Sequence, residues 1–202
     1  MKLYYSPGAC SLSPHIVLLE ASLPYTLERV NLGTKKTAAG GDYLTINSKG
    51  SVPTLQLDDG KILTEGPAVV QYLADQKPES GLAPRAGTFE RYQLMEILNF
   101  ITSEVHKNFS PLFNKEASDE LKSGAKAALA KKFDWLTTFL SGKTFLIGNT
   151  FTVADAYLFT VLNWPALTGI DLGKWPVLAA YHSRIAQRPT VQQALKEEGL
   201  LK

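Results

Sequence analysis

Residues 77–87, KPESGLAPRAG, divide the chain into two stretches that no single layer architecture accommodates. Ahead of this Pro- and Gly-rich segment, strand and helix signals alternate. Behind it, apolar residues recur almost wholly at three- and four-residue spacing. The division predicts a small α/β domain over residues 1–80, a linker over 81–86 and an all-helical domain over 87–202. A chain of 202 residues with 45% hydrophobic content has apolar material enough to build a sizeable core.

In the first stretch, KLYY (2–5) is a β-prone run ended by Pro7-Gly8. A helix opens near Ser11 to Ser13, because Pro14 is tolerated only in a first turn, where its missing N–H costs nothing. YTLERVNL (25–32) alternates like a half-buried strand, and KKTAAGGDYLTIN reads as loop and short helix. VPTLQLDDGKILTE (52–65) is a hairpin turning at Asp59-Gly60, followed by a helix with Pro67 in its first turn. The order is β-α-β, then β-β-α. Beyond the linker, helices are expected over 88–109, 119–141, 153–167 and 176–188. Asp155 sits among apolar residues and so resembles a catalytic group. Thr152-x-x-Asp155, however, is a capping-box pattern with Phe151 placed for a hydrophobic staple, which assigns Asp155 to folding.

Charge and composition exclude several classes. The net charge is +2 and no run of basic residues appears, so nucleic acid and anionic membrane are not expected partners. No apolar stretch approaches the ~18 residues of a membrane span, and MKLYYSPGAC lacks the apolar core of a secretory signal. A single cysteine makes no internal disulfide, which fits a reducing cytoplasm. Three scattered histidines and one cysteine offer no metal-ligand spacing, so no metal is expected.

That cysteine, Cys10, follows the first strand and precedes the first helix. Two readings compete. A helix N-terminus stabilises negative charge by ~0.3–1 kcal/mol, up to ~2 in good geometry, or about one pKa unit. Donation from Ser11 would lower the thiol further below the free value of ~8.5. A buried apolar cysteine shifts the opposite way, but the placement ahead of a helix start favours the first reading, and the Cys10 thiol is expected to titrate below ~8. Cys10-Ser11-Leu12-Ser13 also has the frame of a thioredoxin-like C-x-x-C with serine as its second member, so any sulfur partner arrives from outside. The abundant small cytosolic thiol is glutathione.

Val52-Pro53 stands at a strand start, where thioredoxin-like folds carry a cis proline and leave the preceding backbone to an extended ligand. Glu65-Gly66 marks another helix N-terminus. Glu65 either complements the dipole or belongs to a carboxylate-binding site. Asn99, Ser103 and His106, spaced four and three apart, form one polar helix stripe, either solvated or ligand-facing.

KLYYSPGACSLSPHIVLLE, GSVPTLQLDDGKILTEG, NFITSEVHKNFSPLF and FTVADAYLF resemble, in order and spacing over essentially the whole chain, the bacterial β-class glutathione transferases. The resemblance implies a thioredoxin-like N-terminal domain, an all-α C-terminal domain, a homodimer and glutathione as cosubstrate. Carried over by position, Cys10 faces the glutathione sulfur and Val52 pairs its backbone with the cysteinyl part. Glu65 and Gly66 hold the γ-glutamyl end, Lys35 reaches the glycyl carboxylate, and Asn99, Ser103, Glu104 and His106 approach from the helical domain. Many relatives carry serine in place of Gly66. His106 is implied, with Cys10, as a catalytic residue that favours thiolate when protonated or accepts a proton when neutral.

The function implied is conjugation of reduced glutathione to small hydrophobic electrophiles, a detoxification reaction in the cytoplasm. The electrophile pocket is expected in a cleft between the domains, with Phe109, Phe113 and Trp164 as lining candidates. Two other readings stand beside it. One is glutathione-dependent thiol-disulfide or reductive dehalogenation chemistry through a mixed disulfide at Cys10. The other is a non-enzymatic binding protein that kept the fold.

Overall fold

The computed structural model describes residues 1–201. Strands β1 (Lys2–Tyr5), β2 (Thr26–Asn31), β3 (Lys36–Thr37), β4 (Thr54–Gln56) and β5 (Ile62–Thr64) form a mixed sheet ordered β3-β2-β1-β4-β5. β1 runs parallel to β2 and antiparallel to β4, which sets Leu3 opposite Leu27 on one side and Leu55 on the other. A parallel pair needs a crossover, and helix α1 (Leu12–Glu20) supplies it. Helix α2 (Gly66–Asp75) packs beside α1. Leu3, Ile16, Val17, Leu55, Val69 and Leu73 are fully buried in this layer. Proline position decided both helix starts: Pro14 is the third residue of α1 and Pro67 the second of α2. Gly60 turns the β4–β5 hairpin at φ +85°, a conformation that costs glycine little.

After the linker come α3 (Phe89–Phe100), α4 (Ser110–Phe113), α5 (Asp119–Leu140), α6 (Val153–Leu162), α7 (Trp164–Thr168), α8 (Pro176–Ala186) and α9 (Pro189–Glu197). The chain divides into two compact units, one of Met1–Ala83 with the residues from Arg188 onward, the other of Pro84–Gln187. The expected 87–202 domain is thereby corrected at its end: α9 packs on α1. Arg188 donates twice to Glu20, at 2.7 and 2.8 Å, and Thr190 adds a third donor to the same carboxylate. Periodicity alone could not reveal this, because an amphipathic helix announces that it has a partner and not which one.

In the second unit, α6 is buried on every side, so its one charged residue must be met within the protein. Asp155 Oδ2 accepts from the Thr152 N–H (2.8 Å) and hydroxyl (2.9 Å). Its Oδ1 accepts from the Leu146 N–H (2.9 Å) and the Tyr181 hydroxyl (2.7 Å). This is the capping box read from Thr152-x-x-Asp155, extended by two long-range donors. Burial pushes the carboxyl pKa up, and these four donors oppose the rise. Removing the carboxylate strands all four in the interior, at ~1–3 kcal/mol for each unmet group. Asp155→Ala is therefore expected to lower the unfolding free energy by about 3–5 kcal/mol in urea titration. A loss below ~1 kcal/mol would deny the carboxylate this structural weight.

Candidate functional site

The first unit carries Cys10, Lys35, Val52 and Glu65 on its loops and Gly66 at the start of α2. Cys10 stands one residue before Ser11, which caps α1. Its thiol donates to the Val52 carbonyl at 3.1 Å, and the next peptide, Val52-Pro53, is cis. The loop beneath is held by Tyr43, whose hydroxyl donates to Ser51 O at 2.8 Å, and by Asn47, whose amide donates to Ser51 O (2.8 Å) and Thr54 Oγ1 (3.0 Å). Tyr43, Asn47 and Thr54 were not singled out from sequence, and no local pattern there signals that they hold the loop.

The expected thiolate is overturned in the unliganded protein. Part of Cys10 remains accessible, but desolvation of the sulfur pushes the thiol up to about 12, and the Glu65 charge acts in the same direction. The N–H groups of Cys10 and Ser11 oppose this rise without reversing it. The Ser11 hydroxyl is no donor to the sulfur: it accepts from Ser6 N–H (3.1 Å) and donates to Ser6 O (3.2 Å). Ser13 likewise turns to the backbone, donating to Cys10 O at 2.8 Å. A thiol poised on a carbonyl is a donor, and donation favours the neutral form.

Glu65 precedes α2 at φ +71°, and its side chain is 67% exposed in an ion pair with Lys49. Lys49 also donates to Thr64 Oγ1 at 2.7 Å. Gly66 opens the helix, and a Cβ added there would meet nothing within 4 Å. The glycine is thus no steric requirement, and the leading N–H groups of the helix remain the anion-binding element. Lys35, at φ +57°, donates its ammonium to Gly50 O at 2.8 Å. That anchors it to the segment carrying Val52.

In the second unit the Asn99–Ser103–His106 stripe is split. The chain widens to i→i+5 turns over Ile101–His106, whereas the sequence predicts an unbroken α-helix over 88–109. Asn99 and Ser103 stay exposed, with the Ser103 hydroxyl donating to Asn99 O at 3.0 Å. Glu104 pairs with Lys132 at 2.6 Å, and that ammonium holds its carboxyl below the usual range. His106 turns to an aromatic group instead, with Nδ1 2.7 Å from the Tyr157 hydroxyl. Burial, then the Lys107 charge, lower its pKa to about 4, so the ring is neutral near pH 7. The protonated form offered by the sequence reading does not apply. Of the lining candidates, Phe109 and Trp164 are buried against each other, with rings 5.4 Å apart, and only Phe113, 49% exposed, presents open apolar surface.

Among the described residues, no three His, Cys, Asp or Glu side chains gather as a metal site, and no helix is long and apolar enough to cross a membrane. The model of the glutathione S-transferase N-terminal domain matches residues 8–76, and that of the C-terminal domain residues 100–189. Glutathione S-transferase GstA of Escherichia coli O157:H7 is 46% identical over 99% of this chain and 100% of its own length. A bacterial β-class glutathione S-transferase from Sphingomonas chungbukensis superposes with a TM-score of 0.97 at 51% identity, covering 100% of both chains. A sphingomonad glutathione S-transferase solved in complex with glutathione gives 0.96 at 50% identity, again over 100% of both.

The raised thiol pKa has a direct readout. Alkylation of Cys10 by iodoacetamide is expected to be slow at pH 8 and still rising beyond pH 10, because protonated thiol dominates below about 12. Unfolding in urea should then accelerate it at pH 8. A rate that levels off below pH 8 would restore the thiolate.

Proposed function

The chain belongs to the glutathione S-transferase family, on its bacterial β-class branch, and from that premise we propose that it conjugates reduced glutathione to small hydrophobic electrophiles in cytoplasmic detoxification. The observation that carries the reading is full-length similarity to solved enzymes of this class, one of them complexed with glutathione. The Cys10 thiol directed at the carbonyl of Val52, beside cis-Pro53, supports it from within the chain.

We assign the cysteinyl backbone of glutathione to Val52, its γ-glutamyl end to Glu65 and Gly66, and its glycyl carboxylate to Lys35. Asn99, Ser103, Glu104 and His106 are further contacts carried over from the resemblance. In the reaction, glutathione's thiol proton passes to water and the sulfur lone pair attacks the electrophilic carbon. A C–S bond forms, and a leaving group such as halide departs with the bonding pair. A protonated Cys10 serves this chemistry as a hydrogen-bond donor to the incoming thiolate. It serves mixed-disulfide chemistry poorly, since that step needs Cys10 itself as thiolate. Conjugation is therefore the favoured branch.

For assembly we propose a homodimer. Phe89 is 73% exposed and Tyr92 59% exposed, and with Met95 they recur at three-residue steps on one face of α3. A large apolar stripe of this kind on a surface helix calls for cover.

Turnover of glutathione with an activated aryl chloride tests the activity, and its absence would sink the reading. Glu65→Ala is expected to weaken glutathione binding about tenfold by calorimetry, as the partner of the ligand's ammonium is lost. Affinity equal to the parent's would show that the γ-glutamyl end is assigned wrongly. Light scattering should return about twice the 22.1 kDa chain mass.

A further inference from the structure

The Glu65 carboxylate is already met within the first unit. Glu65 precedes α2 with its backbone at φ +71°, and its carbonyl oxygen takes the first helical bonds, from Ala68 N–H at 3.0 Å and Val69 N–H at 2.9 Å. The carboxylate itself caps nothing. Its one hydrogen-bonded partner among the described residues is the ammonium of Lys49, which sits on Oε1 and also donates to Thr64 Oγ1 at 2.7 Å. Both members of the pair reach solvent. The loop behind Lys49 does not depend on this contact. Lys35 donates to Gly50 O, and Tyr43 and Asn47 both donate to Ser51 O, through bonds in which the Lys49 side chain takes no part.

The γ-glutamyl end assigned to Glu65 carries an α-ammonium, the same chemical group as the tip of Lys49. A second ammonium brought to one carboxylate is repelled by the first, so the two cannot share Glu65 without loss. We propose that Lys49 is a specificity-determining residue: its ammonium competes with that of the ligand for Glu65, and so sets how strongly the first unit prefers a tripeptide with a free α-amino group. The inference rests on the proposed glutathione reading. For glutathione, binding exchanges one cation for another, and only the difference between the two contacts counts toward affinity. For a ligand without the ammonium, Lys49 stays in place and Glu65 keeps its partner. Lys49 therefore holds glutathione affinity down and shelters ammonium-free ligands from rejection. With its charge removed, such a ligand would leave Glu65 unpaired, while glutathione would meet a free carboxylate.

Calorimetry on the full-length protein tests this with two tripeptides, reduced glutathione and glutaryl-cysteinyl-glycine, which is glutathione without its α-ammonium. Lys49→Met keeps the apolar stem of the side chain and removes the charge. An exposed ion pair moves an equilibrium only a few-fold, so the variant is expected to bind glutathione about threefold more tightly. It should bind the glutaryl peptide no more tightly than the wild type does, and the ratio of the two affinities should widen accordingly. Lys49→Arg keeps the charge and should return that ratio to the wild-type value. Weaker or unchanged glutathione binding in Lys49→Met overturns the proposal. So does an equal shift for both peptides, which a purely bracing role for Lys49 would give. If the wild type binds neither peptide, the glutathione reading itself falls and takes this inference with it. Binding of glutathione without the split in Lys49→Met removes only the competition.

Discussion

The loop that carries Cys10 hangs from one buried imidazole. His15, fully buried in α1, has Nδ1 3.0 Å from Glu198 Oε1 and Nε2 2.9 Å from Glu197 Oε2. Tyr25 donates to that second carboxylate at 2.8 Å. The other oxygen of Glu198 accepts the Gly8 N–H at 2.9 Å, inside the loop that delivers Cys10. Buried ionisable groups persist only when every partner is present. The seat of the last helix, the first turn of α1 and the loop ahead of Cys10 are therefore conditions on one another. Nothing in the sequence around His15 marks this role, since its partners stand about 180 residues away.

What was legible follows the range over which each cause acts. Pro14, Pro67, Asp59-Gly60 and Thr152-x-x-Asp155 act within a few residues, and each marks its element where expected. The widened turn at Ile101–His106 was not legible. The apolar spacing of ILNFITSEVHKNF fits an α-helix as well, and the Thr102 and Asn108 bonds back to Leu98 O and Glu104 O become visible only in the fold. Cys10 shows the same limit in electrostatic form. Its position in sequence exposes the dipole, worth about one pKa unit. The desolvation that outweighs it comes from residues elsewhere in the chain. The family's ligand set was legible only through resemblance, never through spacing.

Each unit holds one of the groups proposed for the chemistry in an uncharged form at neutral pH, a protonated thiol at Cys10 in the first and a neutral imidazole at His106 in the second. Each achieves this through burial, and each retains a hydrogen to offer. A neutral donor avoids holding a desolvated charge within either unit. Each unit also carries a solvent-accessible ion pair, Lys49 with Glu65 in the first and Lys132 with Glu104 in the second. Such pairs contribute little to stability and yield readily to an incoming ion.

The division of the chain has a consequence for biogenesis. Residues 84–187 are contiguous, so the second unit has its whole complement once residue 187 has left the ribosome. The first unit begins the chain but is completed only by the residues from Arg188 onward. Vectorial synthesis ordinarily favours the N-terminal domain; here the order of completion is reversed. Until the last turn of α9 and Glu198 have emerged from the ribosome, nascent α1 carries Glu20 and His15 with their partners still unmade, and Gly8 lacks its carboxylate. The window in which this unit is vulnerable to proteases and chaperones is set by the translation time of everything that follows it.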